Sequence, residues 1–379
     1  MNKTLIAMAV AGLMAAPMAA QADATIYGKF HVSIDAGDTG MDGEGADSTY
    51  FQSNSSRIGF KGSEDLGGGL KAIWQLESSV AVGSAGSDGN GKSTSFGNRN
   101  TYVGLQGGWG TVLGGQHDTP FKTTGRKFDL FGDYVGDSRN LIAAVLTDDN
   151  GESTDGFDQR PANAIMYTTP VFGGGWDISA MYTLEDGTKN SEILSANVNW
   201  KTGNWLASFA YETHGKGNNP ALVIDGTPVQ GDQDETGMRL GVKWTPGAWM
   251  VTALYETLSD VGGISDFDSD VYGLGAGYKM GKNVIKAQYY MTSNEGSDSD
   301  ATLMAVAWDH NFSKRTTGYV AYATTSNDDG VYYSVDASGH GAEIENTAVA
   351  LVGGGAPLPY GKDPSAISIG EIGRASCRE

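Results

Sequence analysis

The sequence predicts an all-β protein, a 16-stranded antiparallel β-barrel that spans a membrane. Three observations carry that prediction. Apolar and polar side chains alternate in runs of about ten residues, the length a tilted strand needs to cross a bilayer. Tight and long connections follow one another in turn along the chain. Tryptophans gather beside the tight ones.

Ahead of the first run, MNKTLIAMAVAGLMAAPMAAQA (1–22) has a basic start at Lys3, an apolar run from Leu5 to Met18 and the small-x-small triplet Ala20, Gln21, Ala22. This is the pattern of a cleaved secretory signal peptide, which starts the mature chain at Asp23; the competing reading, an N-terminal anchor, lacks a stop-transfer flank. Beyond it, no stretch approaches the ~18–20 uninterrupted apolar residues of a transmembrane helix. Hydrophobic content is 39% and mean hydropathy is -0.29. Those values fit a soluble domain. They fit a membrane barrel equally well, because its strands alternate apolar-out and polar-in and average to a polar composition.

Periodicity separates the two. GNWLASFAYE (203–212) puts Trp205, Ala207, Phe209 and Tyr211 on one face, with Leu206, Ser208, Ala210 and Glu212 on the other. TGMRLGVKW (236–244) sets Met238, Leu240, Val242 and Trp244 against Arg239, Gly241 and Lys243, and WDISAMYTL (176–184) repeats the pattern. Sixteen such runs begin near positions 24, 50, 69, 98, 109, 161, 175, 191, 204, 234, 248, 268, 283, 301, 315 and 365. An even number returns the chain to the side on which it started. At about this strand number wall side chains no longer fill the interior, and an aqueous channel remains.

The connections EDLGGG, GGWG, PVFGGG, KTGN, TPGA, MGKN and NFSKR are tight. The loops at 79–97, 119–160, 214–233 and 326–364 are long and rich in Asp, Ser, Asn and Gly. Short turns at one end and long polar loops at the other are the habit of outer-membrane barrels, whose turns are periplasmic. A soluble sandwich has no reason to sort its loops this way. Trp109, Trp176, Trp200, Trp205, Trp244 and Trp249 lie in or beside the tight turns. Indole favours the boundary between water and lipid, so these six read as an aromatic girdle.

The formal net charge is -20, which disfavours nucleic acid as a partner and favours cations near the surface. With Cys377 the sole cysteine, no intrachain disulfide and no multi-thiolate metal site is expected. His31, His117, His214, His310 and His340 are scattered, and no metalloprotease, nucleophile-elbow or phosphate-loop motif appears. Asp266, Asp268 and Asp270 imitate half a calcium loop, but Val271 stands where glycine is required and Gly277 where the bidentate glutamate belongs. No cofactor or metal is expected, and no enzyme. An outer-membrane hydrolase would need a serine or threonine nucleophile within reach of histidine. An adhesin is distinguished by the absence of single-channel current.

SRIGFKGSEDLGGGLKAIWQLE (56–77) and NRNTYVGLQGGWGTVLGGQHDTPFK (98–122) resemble the general diffusion porins of Gram-negative bacteria, especially the proteobacterial branch that includes neisserial porins. RPANAIMYTTPVFGGGWDISAMY (160–182) and NFSKRTTGYVAYA (311–323) resemble the same family, and the likeness runs from Asp23 to Gly370. It implies passive diffusion of small hydrophilic solutes and ions, with a substrate-selective channel as the alternative. It further implies a homotrimer in the cell outer membrane, surrounded by lipid and lipopolysaccharide and inserted by the outer-membrane assembly machinery. Each barrel would be narrowed by its third long loop folded inward, here about 119–160.

KFDLFGDYVGDSRN (127–140) is similar to the family's constriction segment, which points to Asp129, Asp133, Asp137 and Arg139. The aspartates recur at four-residue spacing, so a helical turn or two would stack them on one face. Arg57 and Lys61 are opposite in parity to Ile58 and Phe60, which turns both into the lumen, and Lys29 and Lys71 follow suit. Acidic loop and basic wall would then face each other across water and orient polar solutes. Family members often carry arginine near the end of strand five, where this chain has Gly115. Together with the acidic total, this leans towards a weak cation preference.

Alternation runs through DPSAISIG (363–370) and then stops. EIGRASCRE (371–379) is expected to be non-native sequence, because its back-translation is similar to read-through into a common sequencing adaptor. The closing strand would then be shortened, without the terminal aromatic residue that the resemblance implies.

Overall fold

The computed structural model describes residues 23–41, 47–82, 96–142, 156–184, 191–218, 221–224, 227–295, 298–335, 340 and 361–378. The signal-peptide assignment (1–22) lies outside them.

The alternating runs form β1 (Asp23–Asp38), β2 (Asp47–Ser53), β3 (Arg57–Gly67), β4 (Leu70–Ser79), β5 (Thr101–Gly107), β6 (Gly110–Gln116), β7 (Ala164–Thr168), β8 (Trp176–Thr183), β9 (Ile193–Thr202) and β10 (Trp205–His214). A small hairpin, β11 (Ala221–Ile224) with β12 (Thr227–Gln230), stands apart from the wall in an outer loop. The wall continues with β13 (Glu235–Trp244), β14 (Trp249–Ser259), β15 (Ser269–Met280), β16 (Asn283–Asn294), β17 (Ala301–Asn311), β18 (Thr316–Asn327) and β19 (Ser365–Arg378). Each wall strand pairs antiparallel with the next, and β19 pairs with β1, so the sheet closes with no free edge. Lipid requires that closure, since it offers backbone groups no partner.

β2 and β3 are two pieces of one wall strand, because both pair with β1, at Val32–Asp38 and Asp23–Lys29 respectively. The wall is therefore sixteen-stranded, as the periodicity predicts. The break falls at Asn54–Ser56, where Ser55 takes a left-handed φ of 50° and the His31 carbonyl accepts both the Asn54 N–H (2.7 Å) and the Ser56 hydroxyl (3.0 Å).

Side chains divide by parity. On β1, Ile26, Phe30 and Ile34 face outward and stay about half exposed, whereas His31, Ser33 and Asp35 face inward and are buried. Met238 and Leu240 are likewise exposed on either side of buried Arg239. Leaving a large apolar side chain in water forgoes roughly 1.5–3 kcal/mol of burial. A whole outer surface built this way is stable only against acyl chains.

At the end of the chain the closing strand runs on past Gly370. Residues 371–378 continue β19, paired with β1 from Thr25↔Arg378 to Asp38↔Ser365. Backbone hydrogen bonds ignore side-chain type, so the ladder extends, but the parity inverts. Ile367 and Ile369 point out, then Glu371 is exposed on that outer face while Ile372 turns inward and is buried.

Candidate pore constriction

The third long connection, between β6 and β7, packs on the inner wall. Its first segment, α1 (Pro120–Phe128), starts where Thr119 accepts the Lys122 N–H (3.1 Å) and Pro120 presets the first turn. Arg126 and Lys127 in its last turn suit the negative end of the helix dipole. The wall captures its open backbone groups. Phe121 N–H donates to Ser195 Oγ (3.1 Å), and Asn197 donates to the Pro120 carbonyl (2.8 Å). Arg239 donates to the Phe121 carbonyl (2.9 Å) and the Ile142 carbonyl (3.1 Å), and also pairs with Glu256. Phe121, Phe128, Leu141, Ile142 and Phe157 bury themselves against wall residues such as Ala210, Leu258 and Leu303.

The three aspartates do not share a helical face. α1 ends at Asp129 in extended backbone, and Asp133 adopts a left-handed φ of 68°. Asp137 is fully buried and accepts both the Asp133 N–H (2.7 Å) and the Arg139 N–H (2.9 Å). Arg139, which opens α2 (Arg139–Ile142), ties the segment together with Nη2 3.0 Å from Asp133 and 2.5 Å from Asp137. A helix would have stacked three like charges. The knot neutralises two of them instead.

Nor does water separate this segment from the wall at Asp133. Lys29 Nζ of β1 lies 2.7 Å from Asp133 Oδ2. Burial pushes the Asp133 carboxyl up, but Lys29 and Arg139 outweigh it and hold it well below the usual carboxylate range. Asp129 is different. Burial first, and neighbouring Asp137 second, raise it to about 7.

Of the basic wall residues, Lys29 and Arg57 meet in register beside the loop. Lys61 lies four residues along β3, roughly 13 Å towards the tight turns, exposed and over the Tyr27 ring. Lys71 pairs with Asp65 at the turn itself, roughly 26 Å from Arg57. Those two belong to the mouth and not to the constriction.

A second group was invisible to parity. Arg99 Nε lies 2.7 Å from Glu77, whose other oxygen is 3.9 Å from Arg57. Arg160 is 2.9 Å from Asp118, and Lys122 sits between Asp118 (3.3 Å) and Asp158 (3.1 Å). Asp158 is also 3.5 Å from Arg139. Burial raises the Asp118 and Asp158 carboxyls, but Lys122 leads the cations that bring both below the usual value. Arg126 stands near Arg57, Asp118, Asp133 and Asp158, and its buried Nε has no hydrogen-bond partner among the described residues. At Gly115, φ is 143° and a Cβ would lie 2.5 Å from the Thr101 carbonyl oxygen, so no arginine fits there. Arg99, Arg126 and Arg160 bring the charge from neighbouring positions.

All six tryptophans of the expected girdle sit at the tight-turn end of the wall. Trp205 and Trp244 stack at 5.4 Å, and Trp176 and Trp200 approach to 6.1 Å. Trp109 stacks on Tyr167 at 6.4 Å, and Trp249 meets Tyr278 at 4.6 Å.

A closed wall, apolar outside and charged inside, with a loop lodged in its lumen, defines a membrane-spanning channel. Residues 7–330 match the family described as Gram-negative porin. The chain is 32% identical over 364 residues to outer membrane porin protein 32 of Delftia acidovorans, covering 89% of this chain and 93% of that protein. It is 28% identical over 353 residues to the major outer membrane protein P.IB of Neisseria gonorrhoeae, covering 85% and 92%. Its fold matches that of an anion-selective porin from Comamonas acidovorans with a TM-score of 0.71 at 23% identity, covering 94% of this chain and all of the other. The chain belongs to the Gram-negative porin family. It is an outer-membrane channel through which small hydrophilic solutes and ions diffuse passively.

Proposed function

We propose that the narrow part of this channel carries net positive charge and favours anions among the solutes it passes. The observation that carries this reading is the imbalance around Arg126. Asp118, Asp133, Asp137, Asp158 and Glu77 are each held by lysine or arginine within 3.3 Å. Arg57 and Arg126 add charge that these carboxylates do not cancel. The acidic total argues for cations, but a surface charge is screened over a Debye length of ~8 Å in physiological salt. An ion in the constriction touches the arginines. The channel works as a homotrimer in outer-membrane lipid and lipopolysaccharide, delivered by the assembly machinery. The half-exposed apolar wall and the tryptophans at one level support that placement. Reversal potential in a salt gradient across a planar bilayer tests the ion preference, and a cation-selective potential overturns it.

A further inference from the structure

The last outer connection, between β18 and β19, holds residues that belong in water by position and are not there. Val331, Tyr332 and Val335 are fully buried, and Tyr333 and Ser334 nearly so. A loop normally runs over the surface, because its buried backbone groups would need partners. These have found them inside the barrel. Gly136 N–H of the third connection donates to the Val335 carbonyl (2.7 Å), and Thr325 Oγ donates to the Ser334 carbonyl (2.8 Å), which Asn140 also reaches. Gly136 itself is wedged against the wall at φ 78°, where a Cβ would lie 2.5 Å from that of Ala305.

His340 enters from the same connection and bridges the constriction loop to β1. Its Nδ1 is 3.1 Å from the Asp133 carbonyl oxygen and its Nε2 is 2.7 Å from Asp35 Oδ2. Both side chains of the His340–Asp35 pair are wholly buried. The donor count then requires a proton. A backbone carbonyl only accepts, so Nδ1 carries hydrogen; an ionised carboxylate only accepts, so Nε2 carries one too. Neutral imidazole has one N–H. The pair therefore holds one proton more than neutral histidine with ionised aspartate. His31 of β1 stands within electrostatic reach of His340, and Lys29, Asp133 and Lys286 act on His31 in turn; Tyr319 of β18 faces both Asp35 and His31, Ser33 donates to Asp35, and Arg139 holds Asp133.

We propose that Val331–Val335 and His340 form a second constricting element, latched to the third connection and to β1 by the second ring proton of His340, which leaves as pH rises so that the element releases and the pore widens. Losing that proton sets an imine lone pair against a carboxylate in a dry site, so docking becomes unfavourable. The latch rests on the channel reading, and single-channel conductance in planar bilayers tests both. Wild type should conduct roughly 1.5-fold more at about pH 9 than at about pH 5. His340→Ala should show the higher conductance at both. Asp35→Asn should show the lower at both, because an amide N–H can donate to Nε2 of neutral imidazole while Nδ1–H still donates to Asp133. Asp35→Asn leaves His31 in place, so a flat profile there assigns the titration to the latch. If His340→Ala fails to fold, oxidising Asn140→Cys with Ser334→Cys in a Cys377→Ser background should hold the lower conductance at high pH until reduced. Equal conductance in all variants at both pH values overturns the latch alone. Absence of current from the wild type overturns the channel reading.

Discussion

Lys29 Nζ and Asp133 Oδ2 are 2.7 Å apart, one on the first wall strand and one on the loop lodged in the lumen. Both side chains are largely buried, so the contact ties the loop to β1 beside the anchors that Ser195, Asn197 and Arg239 supply. Breaking a buried pair strands a charge and costs ~3–5 kcal/mol, but Arg139 still holds Asp133 when Lys29 is removed. Lys29→Met should therefore destabilise the folded barrel by only about 1–2 kcal/mol while loosening the loop. Urea unfolding in detergent reads the first effect, and increased open-channel current noise reads the second. A quiet channel would show that the wall contacts from Ser195, Asn197 and Arg239 hold the loop without Lys29.

Asp129 should make ion preference depend on pH near neutrality. Its carboxyl is raised to about 7 by burial and Asp137, so it is neutral in mildly acid solution and charged above. A carboxyl whose pKa rises on folding stabilises the fold fully below its unfolded value of ~3.9, and this contribution fades as pH climbs through about 7. Anion preference should accordingly weaken across pH 7 as the new negative charge appears. Asp129→Asn should flatten that dependence, and reversal potentials measured through the range check it.

Much of this molecule was legible in the sequence because a membrane imposes period two on every strand. Ile26, Phe30 and Ile34 could be assigned to the outer face, and Lys29 and Arg57 to the lumen, from alternation alone. The break at Ser55 was hidden, because alternation resumes beyond it. So was the pairing of β11 with β12, which among the described residues pair only with each other. The constriction was half legible. Asp129, Asp133 and Asp137 mark the right segment, but i,i+4 spacing says nothing about whether Arg139, two residues beyond Asp137, draws the carboxylates into a knot. Arg99, Lys122, Arg126 and Arg160 lie at strand ends or in the loop, where parity carries no information.

Arg126 is the arginine whose removal should change selectivity most for least structural cost, since its Nε has no hydrogen-bond partner among the described residues. Two unit charges 4 Å apart in water interact by ~1 kcal/mol, so Arg126→Gln should lower the anion-to-cation permeability ratio by up to about fivefold. Unfolding midpoints should barely move. Arg139→Gln offers the contrast. It strips Asp133 and Asp137 of their shared partner, so it should destabilise by about 3–5 kcal/mol as well as alter selectivity. A selectivity shift for Arg139→Gln and none for Arg126→Gln would place the positive field elsewhere.

Glu371 should be the wall residue most easily improved. It follows Ile369 on the outer face and pairs with Val32 on one side and Gly318 on the other, with Phe30 and Ile34 near it. A lysine or arginine on the lipid face at mid-depth costs ~2–4 kcal/mol and an acid less, so Glu371→Val should stabilise the barrel by about 1 kcal/mol. The inward neighbour Ile372 provides the contrast, because Ile372→Ser truncates a side chain buried in the apolar cluster with Tyr319 and Ala321 and should destabilise the barrel by about 2–5 kcal/mol. Reversible unfolding from lipid vesicles compares the two. If Glu371→Val destabilises instead, the outer surface of β19 meets a polar partner there, and a subunit contact becomes the first place to look for the matching cation.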